Sequence, residues 1–407
     1  MLKRSYLRLL DEYINYFPCI AILGPRQCGK TTLVHSLQGN WSHYDLESHG
    51  DFDQISHDPG LFFRSNPDKI TIDEAQLHPP LFAELRVAID RDRSKKGRFV
   101  ITGSSSPELL KSISETLAGR VGIIEMAPLS FREAHQREAS PFFNLLVDRS
   151  QAPDFLQLAS NATLHQIENF WLKGGYPEPW VENNDRFREV WMEQYFRTYL
   201  ERDIAKLFPG LDTPKFRLFL QTLASLNGRV INYSEVARSI GVSQPTARDY
   251  FQIAHGTFVW RQLPAYEKNA LKRIVKHPKG YYRDSGLLNH MLRIKTRRDL
   301  LSHPDRGNMW ESVVIEEVLR GLFCLGASFD YYYYRTGAGA EIDLMIEGSF
   351  GLIPIEIKQG QSVEAKSLRN IKSFVEERGC SLGIVINNDE RVRLYSEKIV
   401  GIPFAML

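Results

Sequence analysis

The chain has 407 residues, and its Lys and Arg nearly balance its Asp and Glu, leaving a formal net charge of +2. That length exceeds one compact core and predicts two or three domains, while the charge balance excludes a surface that is polyanion-binding throughout. Membrane spanning and secretion are not expected, since no run reaches the roughly 18–20 apolar residues of a span and residues 1–16 lack an apolar signal core.

The four cysteines, Cys19, Cys28, Cys324 and Cys380, form no C-x-x-C pair, which argues against a zinc site or a disulfide framework and for a reducing, cytoplasmic setting. Leu2 to Phe17 has helical apolar spacing at Leu2, Tyr6, Leu9, Leu10, Tyr13 and Ile14. Cys19 to Leu23 follows as a buried strand, and Thr31 to Leu37 begins a helix. Between them Gly24-Pro25-Arg26-Gln27-Cys28-Gly29-Lys30-Thr31-Thr32 satisfies G-x-x-x-x-G-K-[ST] at every fixed position. Such a loop turns its backbone N–H groups inward on a phosphate, and the helix N-terminus adds its dipole. Lys30 is then expected to reach the β- and γ-phosphates of ATP or GTP, and the Thr31 hydroxyl to ligate Mg²⁺.

Trp41 to Leu46 is a candidate second strand, and Asp58-Pro59 and Asn66-Pro67 mark turns. Lys69 to Asp73 reads as a short apolar strand ending in Asp73-Glu74. Downstream of a phosphate loop this pair looks like a Walker B element, with Asp73 holding Mg²⁺ and Glu74 polarising the attacking water. A further strand, Arg98 to Thr102, ends in Thr102-Gly103-Ser104-Ser105-Ser106. This resembles the sensor strand of AAA+ ATPases, in which Thr102 or Ser104 would hold the water or the γ-phosphate; an ordinary strand-to-loop turn is the alternative. Leu117-Ala118-Gly119-Arg120 precedes the strand Val121 to Met126. Arg120 is the candidate arginine finger and Arg132 a second choice, with a plain surface arginine as the alternative.

Five strands alternating with helices imply an α/β fold, a parallel sheet with helices on both faces. The ordered set from Gly24 to Thr31, Asp73-Glu74, Thr102 to Ser105, Ala118-Gly119-Arg120 and Pro128 to Glu133 resembles a prokaryotic AAA+ ATPase family with a C-terminal domain of unassigned function. The resemblance extends over most of the chain. It implies ATP rather than GTP and often a ring or other homo-oligomer, a hexamer among the forms.

Pro141 to Asp154 carries few structural signals and marks a boundary. Gly174-Gly175-Tyr176-Pro177 reads as a turn and Trp191 to Leu207 as an amphipathic helix with Arg197, Glu201 and Arg202 on its charged face. Arg202 is either a second nucleotide-sensing arginine or a surface ion-pair partner. Val230 to Tyr266 reads as a helix-turn-helix with a wing: helix Glu235 to Ile240, the turn Gly241-Val242-Ser243, a helix opened by Pro245, and the strand-like Thr257 to Leu263. Gln244, Thr246 and Arg248 would face DNA if the second helix entered the major groove; protein docking is the other use of such modules. From Arg261 to Asp299 eleven Lys or Arg stand against three acidic residues. Lys268, Lys272, Arg273, Lys276, Lys279 and Arg283, interleaved with Tyr281 and Tyr282, suit phosphate contacts with some stacking.

Asn308 to Phe323 reads as a helix carrying Glu311, Asp330 to Tyr334 as an aromatic strand, and Glu341 to Ile346 and Leu352 to Lys358 as paired strands. A helix over Lys366 to Glu377 and a strand over Leu382 to Asn387 follow. Alternation puts Glu356 and Lys358 on one side of a strand. The set Glu311, Asp343, Glu356 and Lys358 resembles the PD-(D/E)XK nuclease superfamily. That implies Mg²⁺ on Asp343 and Glu356, and a Lys358 that activates water or steadies a charged phosphate. The expected organisation is an AAA+ ATPase core over 1–140, a helical lid over 141–228, a winged helix over 229–300 and a nuclease-like α/β domain over 301–407. The function expected is an ATP-hydrolysing motor on DNA, with an ATP-dependent switch that binds a protein partner as the alternative.

Overall fold

The computed structural model describes residues 2–104, 113, 115–199, 204, 207–208, 210–267, 277–337 and 339–407. By internal contacts the chain divides into one unit of residues 1–129 with 253–259 and a second of residues 130–252 with 260–407.

The first unit is built on a five-stranded parallel sheet in the order β2-β3-β4-β1-β5. The strands are β1 (Cys19–Gly24), β2 (Ser42–Asp45), β3 (Ile70–Asp73), β4 (Phe99–Ser104) and β5 (Val121–Glu125). Every residue of β1 is buried, as a central strand covered on both faces requires. Ile70, Ile72, Phe99 and Ile101 from β3 and β4 share one core with Leu81, Phe82, Leu85 and Ile89 of the helix Leu81–Arg91. In β1–β4 register Ile22 lies beside Thr102 and Gly24 beside Ser104. Since β4 and β5 flank β1 on opposite sides, the phosphate loop leaves the sheet where the order reverses, the place at which open α/β sheets bind ligands. The N-terminal helix Tyr6–Tyr16 buries Tyr6, Leu9 and Leu10. Asp58 does more than turn the chain: its side chain caps the helix Pro59–Ser65 by accepting from the Leu61 N–H at 2.8 Å.

The second unit carries a six-stranded mixed sheet in the order β13-β14-β12-β11-β10-β9 and a three-stranded sheet β6-β8-β7. The short strands are β6 (Arg229–Val230), β7 (Trp260–Leu263) and β8 (Lys279–Tyr282). They accompany the helix Tyr233–Ile240, which ends at Gly241 at φ 67°, and residues 244–252 of the helix Gln244–Gly256 that follows. The expected strand over Thr257 to Leu263 begins only at Trp260. The large sheet comprises β9 (Phe329–Arg335), β10 (Glu341–Gly348), β11 (Gly351–Ile357), β12 (Gly383–Asn387), β13 (Arg393–Ser396) and β14 (Ile399–Pro403). The helix Arg369–Arg378 places Ile371, Phe374 and Val375 in a core with Ile342 and Met345 of β10. A long helix, Arg306–Cys324, is buried along much of its length.

The amphipathic helix expected from Trp191 begins earlier, spanning Asp185–Thr198, and most of the remainder up to Leu207 lies outside the described residues. Its start is set by Asn184, whose side chain accepts from the Phe187 N–H at 3.0 Å. Glu201 and Arg202 lie outside the described residues. No helix among the described residues is long and apolar enough to cross a membrane.

Candidate functional site

Two clusters of chemically active side chains stand out, one in each unit. In the first, Gly24 has no room for a side chain, since a Cβ there would meet the Met126 carbonyl oxygen at 2.2 Å. Gly29 takes φ 97° and Gln27 φ 58°, which bends the loop into its phosphate-cradling path. The N-terminal segment braces this loop: the buried Arg4 guanidinium donates to the carbonyls of Cys28 and Ala127, the latter at 2.6 Å. Arg26 pairs with Glu47 at 2.7 Å, and Cys28 is buried. Thr32 is exposed on the first turn of the helix Lys30–Val34.

Lys30 is 5% exposed and donates to the carbonyls of Gly24 at 3.1 Å and Pro25 at 3.0 Å. Its ammonium thus sits inside the loop that a phosphate would fill. Two hydroxyls converge on Asp73, the Thr31 Oγ1 on Oδ2 and the Thr102 Oγ1 on Oδ1. Thr31 and Asp73 therefore present adjacent hard oxygens beside the loop, a donor set that fits Mg²⁺.

Glu74 adopts φ 53°, ψ 44°, a left-handed conformation that costs a residue with a Cβ about 1–3 kcal/mol and concentrates at functional sites. Its Oε2 accepts from the Gln76 amide, the Ser104 hydroxyl at 3.0 Å and the Ser104 N–H at 3.3 Å. Burial pushes the Glu74 carboxyl up, but the Lys30 charge and the bonds from Gln76 and Ser104 outweigh it and hold the group below its ordinary value. A fixed, ionised carboxylate beside a phosphate loop can orient and polarise a water. Gln76 was not singled out in the sequence; its place two residues after Glu74 was the available signal. Arg120 forms a bidentate pair with Asp90 in its own unit, Nε to Oδ1 at 2.7 Å and Nη2 to Oδ2 at 2.9 Å. Arg132 donates to the Leu407 carbonyl and to the Glu138 carbonyl at 3.0 Å, within the second unit. Ser105 and Ser106 lie outside the described residues.

In the second unit, Glu311 of the long helix, Asp343 of β10 and Glu356 of β11 line one cavity of about 430 Å³ together with Lys279 and Glu341. Antiparallel register sets Leu344 opposite Ile355, which brings Asp343 alongside Glu356. The Ile357 N–H donates to Asp343 Oδ2 at 2.7 Å, and Lys358 Nζ donates to Glu356 Oε1 at 2.6 Å. Glu356 Oε2 is buried without a hydrogen-bond partner among the described residues. Burial, joined by the Asp343 charge, pushes the Glu356 carboxyl up to about 8 and Glu311 well above the usual range.

Sequence reasoning missed three members of this cluster. Lys279 is 4% exposed, and its ammonium meets Glu341 and, at 3.7 Å, Glu311. Tyr281 donates to Glu311 Oε2 at 2.9 Å. Lys279 and Tyr281 were visible only as part of the basic run, and Glu341 as a strand residue. The stacking expected of Tyr281 and Tyr282 is corrected, because both rings are fully buried, and Arg283 is only 6% exposed. The oxygen donors are of the type that binds Mg²⁺. As the side chains stand, no three His, Cys, Asp or Glu among the described residues are arranged to hold a metal ion. Gln244 and Arg248 are exposed on the helix Gln244–Gly256, and Thr246 bonds Ser243 at 2.8 Å. Lys268, Lys272, Arg273 and Lys276 lie outside the described residues.

The loop, the Asp73 pair and the polar strand tip define the first unit as a P-loop ATPase module of the AAA kind, and residues 16–135 match the family described as AAA domain. Residues 164–298 and 306–407 match two families described as domains of unknown function, DUF8612 and DUF4143. The chain belongs to the family of an uncharacterized protein of Mycobacterium tuberculosis, 33% identical over 404 residues that cover 98% of this chain and 83% of the relative. An uncharacterized protein of Haemophilus influenzae is 24% identical over 346 residues, 78% of each chain. Among solved structures, a Walker-type ATPase of Pyrococcus abyssi aligns with a TM-score of 0.47 at 14% identity, covering 72% of this chain and 96% of that one.

Proposed function

We propose that this chain is a Mg²⁺-dependent ATPase motor that acts on DNA and uses its nuclease-like C-terminal domain to bind or cleave it. The observation that carries the reading is the paired constellation of Lys30 with Glu74 held by Ser104, and Asp73 held by Thr31 and Thr102. On ATP binding, the Lys30 ammonium leaves the two loop carbonyls for the β- and γ-phosphates, trading neutral acceptors for charged ones. Thr31 and Asp73 hold Mg²⁺, which would supply charge neutralisation on the phosphate oxygens. Glu74 accepts a proton from the attacking water and Ser104 fixes its orientation. Arg120 is the candidate for reaching a neighbouring subunit in a homo-oligomer, a hexameric ring being one form.

The DNA assignment rests on the exposed Gln244 and Arg248 and on the Glu311, Asp343, Glu356 and Lys358 set. In cutting, Asp343 and Glu356 would hold Mg²⁺ and Lys358 would steady the phosphate. Lys279 favours a second reading. An internal ammonium already seated among these carboxylates suits a domain that binds without cutting, as in an ATP-dependent switch that docks a protein partner. ATP turnover measured with single-stranded, duplex and branched DNA separates the two. Stimulation by one DNA form that is lost in Lys30→Ala supports the motor. Turnover indifferent to every form, with a protein co-purifying, supports the switch.

A further inference from the structure

A second cavity, of about 540 Å³, lies wholly within residues 172–295 of the second unit. Its walls come from the helices Asp185–Thr198, Thr213–Ser225 and Ser285–Met291 and from the residues just after the last of these. Among the described residues the lining is strongly cationic: Lys173, Arg186, Arg188, Arg217, Arg293 and Lys295 stand with two acids, Glu189 and Glu193. Glu189 pairs with Lys295 at 3.2 Å, and Glu193 lies 3.4 Å from His290, an ion pair only when that ring is protonated.

Arg188 is the informative residue. Its side chain is 6% exposed, yet it meets the Asp185 carboxylate only at 3.8 Å, beyond hydrogen-bond reach, and Asp185 itself is 77% exposed. The guanidinium donates to two neutral carbonyls, those of Leu172 at 3.4 Å and Lys295 at 2.8 Å, and its Nε–H has no acceptor within hydrogen-bond reach among the described residues. Lys173, 5% exposed, bonds the neutral Asn183 Oδ1 at 2.8 Å. The counter-charge of Arg188, Asp185, is mostly in solvent, and a buried cation so weakly paired is costly, as is its unsatisfied Nε–H donor. The arrangement is balanced when an anion completes it.

We propose that this cleft binds a phosphate-bearing small molecule of nucleotide size, with Arg188 as the buried anchor and Arg217 and Arg293 at the open rim. The volume is that of a small-ligand pocket, and guanidinium groups pair with phosphate oxygens in bidentate fashion. The site is separate from the phosphate loop and from the carboxylate cluster, and stands whether or not the chain acts on DNA.

Calorimetric titration of the full chain with inorganic pyrophosphate in EDTA tests it. Two binding events are expected, one lost in Lys30→Ala and the other weakened at least about tenfold in the double variant Arg217→Glu, Arg293→Glu. Both rim residues are exposed, so the fold is expected to survive, and Arg217→Lys with Arg293→Lys should retain binding. A single event that disappears in Lys30→Ala, or a second event untouched by charge reversal, overturns the assignment. So does tight oligothymidylate binding that is lost in the Arg217→Glu, Arg293→Glu variant, which would make the cleft part of a nucleic-acid track.

Discussion

Ser104 grips Glu74 twice, its hydroxyl at 3.0 Å and its main-chain N–H at 3.3 Å both donating to the same carboxylate oxygen. β4 thereby fixes a side chain that follows β3, and Glu74 pays for that placement with a left-handed backbone. Ser104→Ala removes one of the two donors. Steady-state ATP turnover in this variant should fall about tenfold at nearly unchanged KM, since Glu74 loses orientation and the phosphate loop is untouched. A rise in KM with full kcat would place Ser104 on bound nucleotide instead.

Arg120 and Asp90 form an exposed pair, and such pairs contribute little to stability. Exchange of Asp90 for Ala frees the arginine, while Arg120→Ala removes it. If Arg120 serves a neighbouring subunit, Arg120→Ala should lower kcat by about 10³ or more while Asp90→Ala leaves it near normal. Equal, small losses in both variants would identify the pair as a surface contact. Turnover against protein concentration would show the dependence on assembly.

Two buried carboxyls in the second unit are raised, Glu317 to about 7 and Glu356 to about 8, with burial the largest cause in each. A raised carboxyl favours the folded state in its protonated form. Its contribution is therefore complete below about 4.5, the ordinary glutamate value, and is lost as pH rises through 7 to 8. Thermal melts should show stability declining across that window. Glu317→Gln and Glu356→Gln should each flatten the decline.

Lys279 neutralises Glu341 and Glu311 from within the carboxylate cavity. Its ammonium is raised: burial lowers it, and the charges of Glu311, Asp343 and Glu341 more than compensate. Lys279→Met leaves these acids without their internal cation. Manganese titration followed by electron paramagnetic resonance should show affinity rising about tenfold over the parent chain, and the metal-free variant should melt lower. Unchanged affinity would show that the ammonium and a divalent ion do not compete.

The phosphate loop was legible because its chemistry occupies consecutive positions, so Gly24, Gly29, Lys30 and Thr31 declare themselves in one line of sequence. Asp73 was legible for the same reason. Its clasp by Thr102 depends on parallel strands that are adjacent in space and distant in sequence, which no local pattern encodes. Strand alternation aligns Glu356 with Lys358, whereas nothing local marks Lys279, because a buried lysine looks like any other until its acidic neighbours are known. The helix at Asp185 begins before the expected residue because the Asn184 cap, and not apolar periodicity, sets its start. β13 and β14 were not expected: Arg393–Ser396 is short and largely exposed, and pairs in antiparallel register with the buried Ile399–Pro403.

The proposed function requires that Lys30 bind ATP and that Glu74 drive its hydrolysis. Phosphate release from Mg-ATP should be measured for the parent chain, Lys30→Ala and Glu74→Gln, together with nucleotide retention. The expected result is turnover in the parent, loss of both binding and turnover in Lys30→Ala, and retained binding with turnover reduced about 10²–10⁴-fold in Glu74→Gln. A parent chain that releases no phosphate, or a Glu74→Gln variant as fast as the parent, would contradict it.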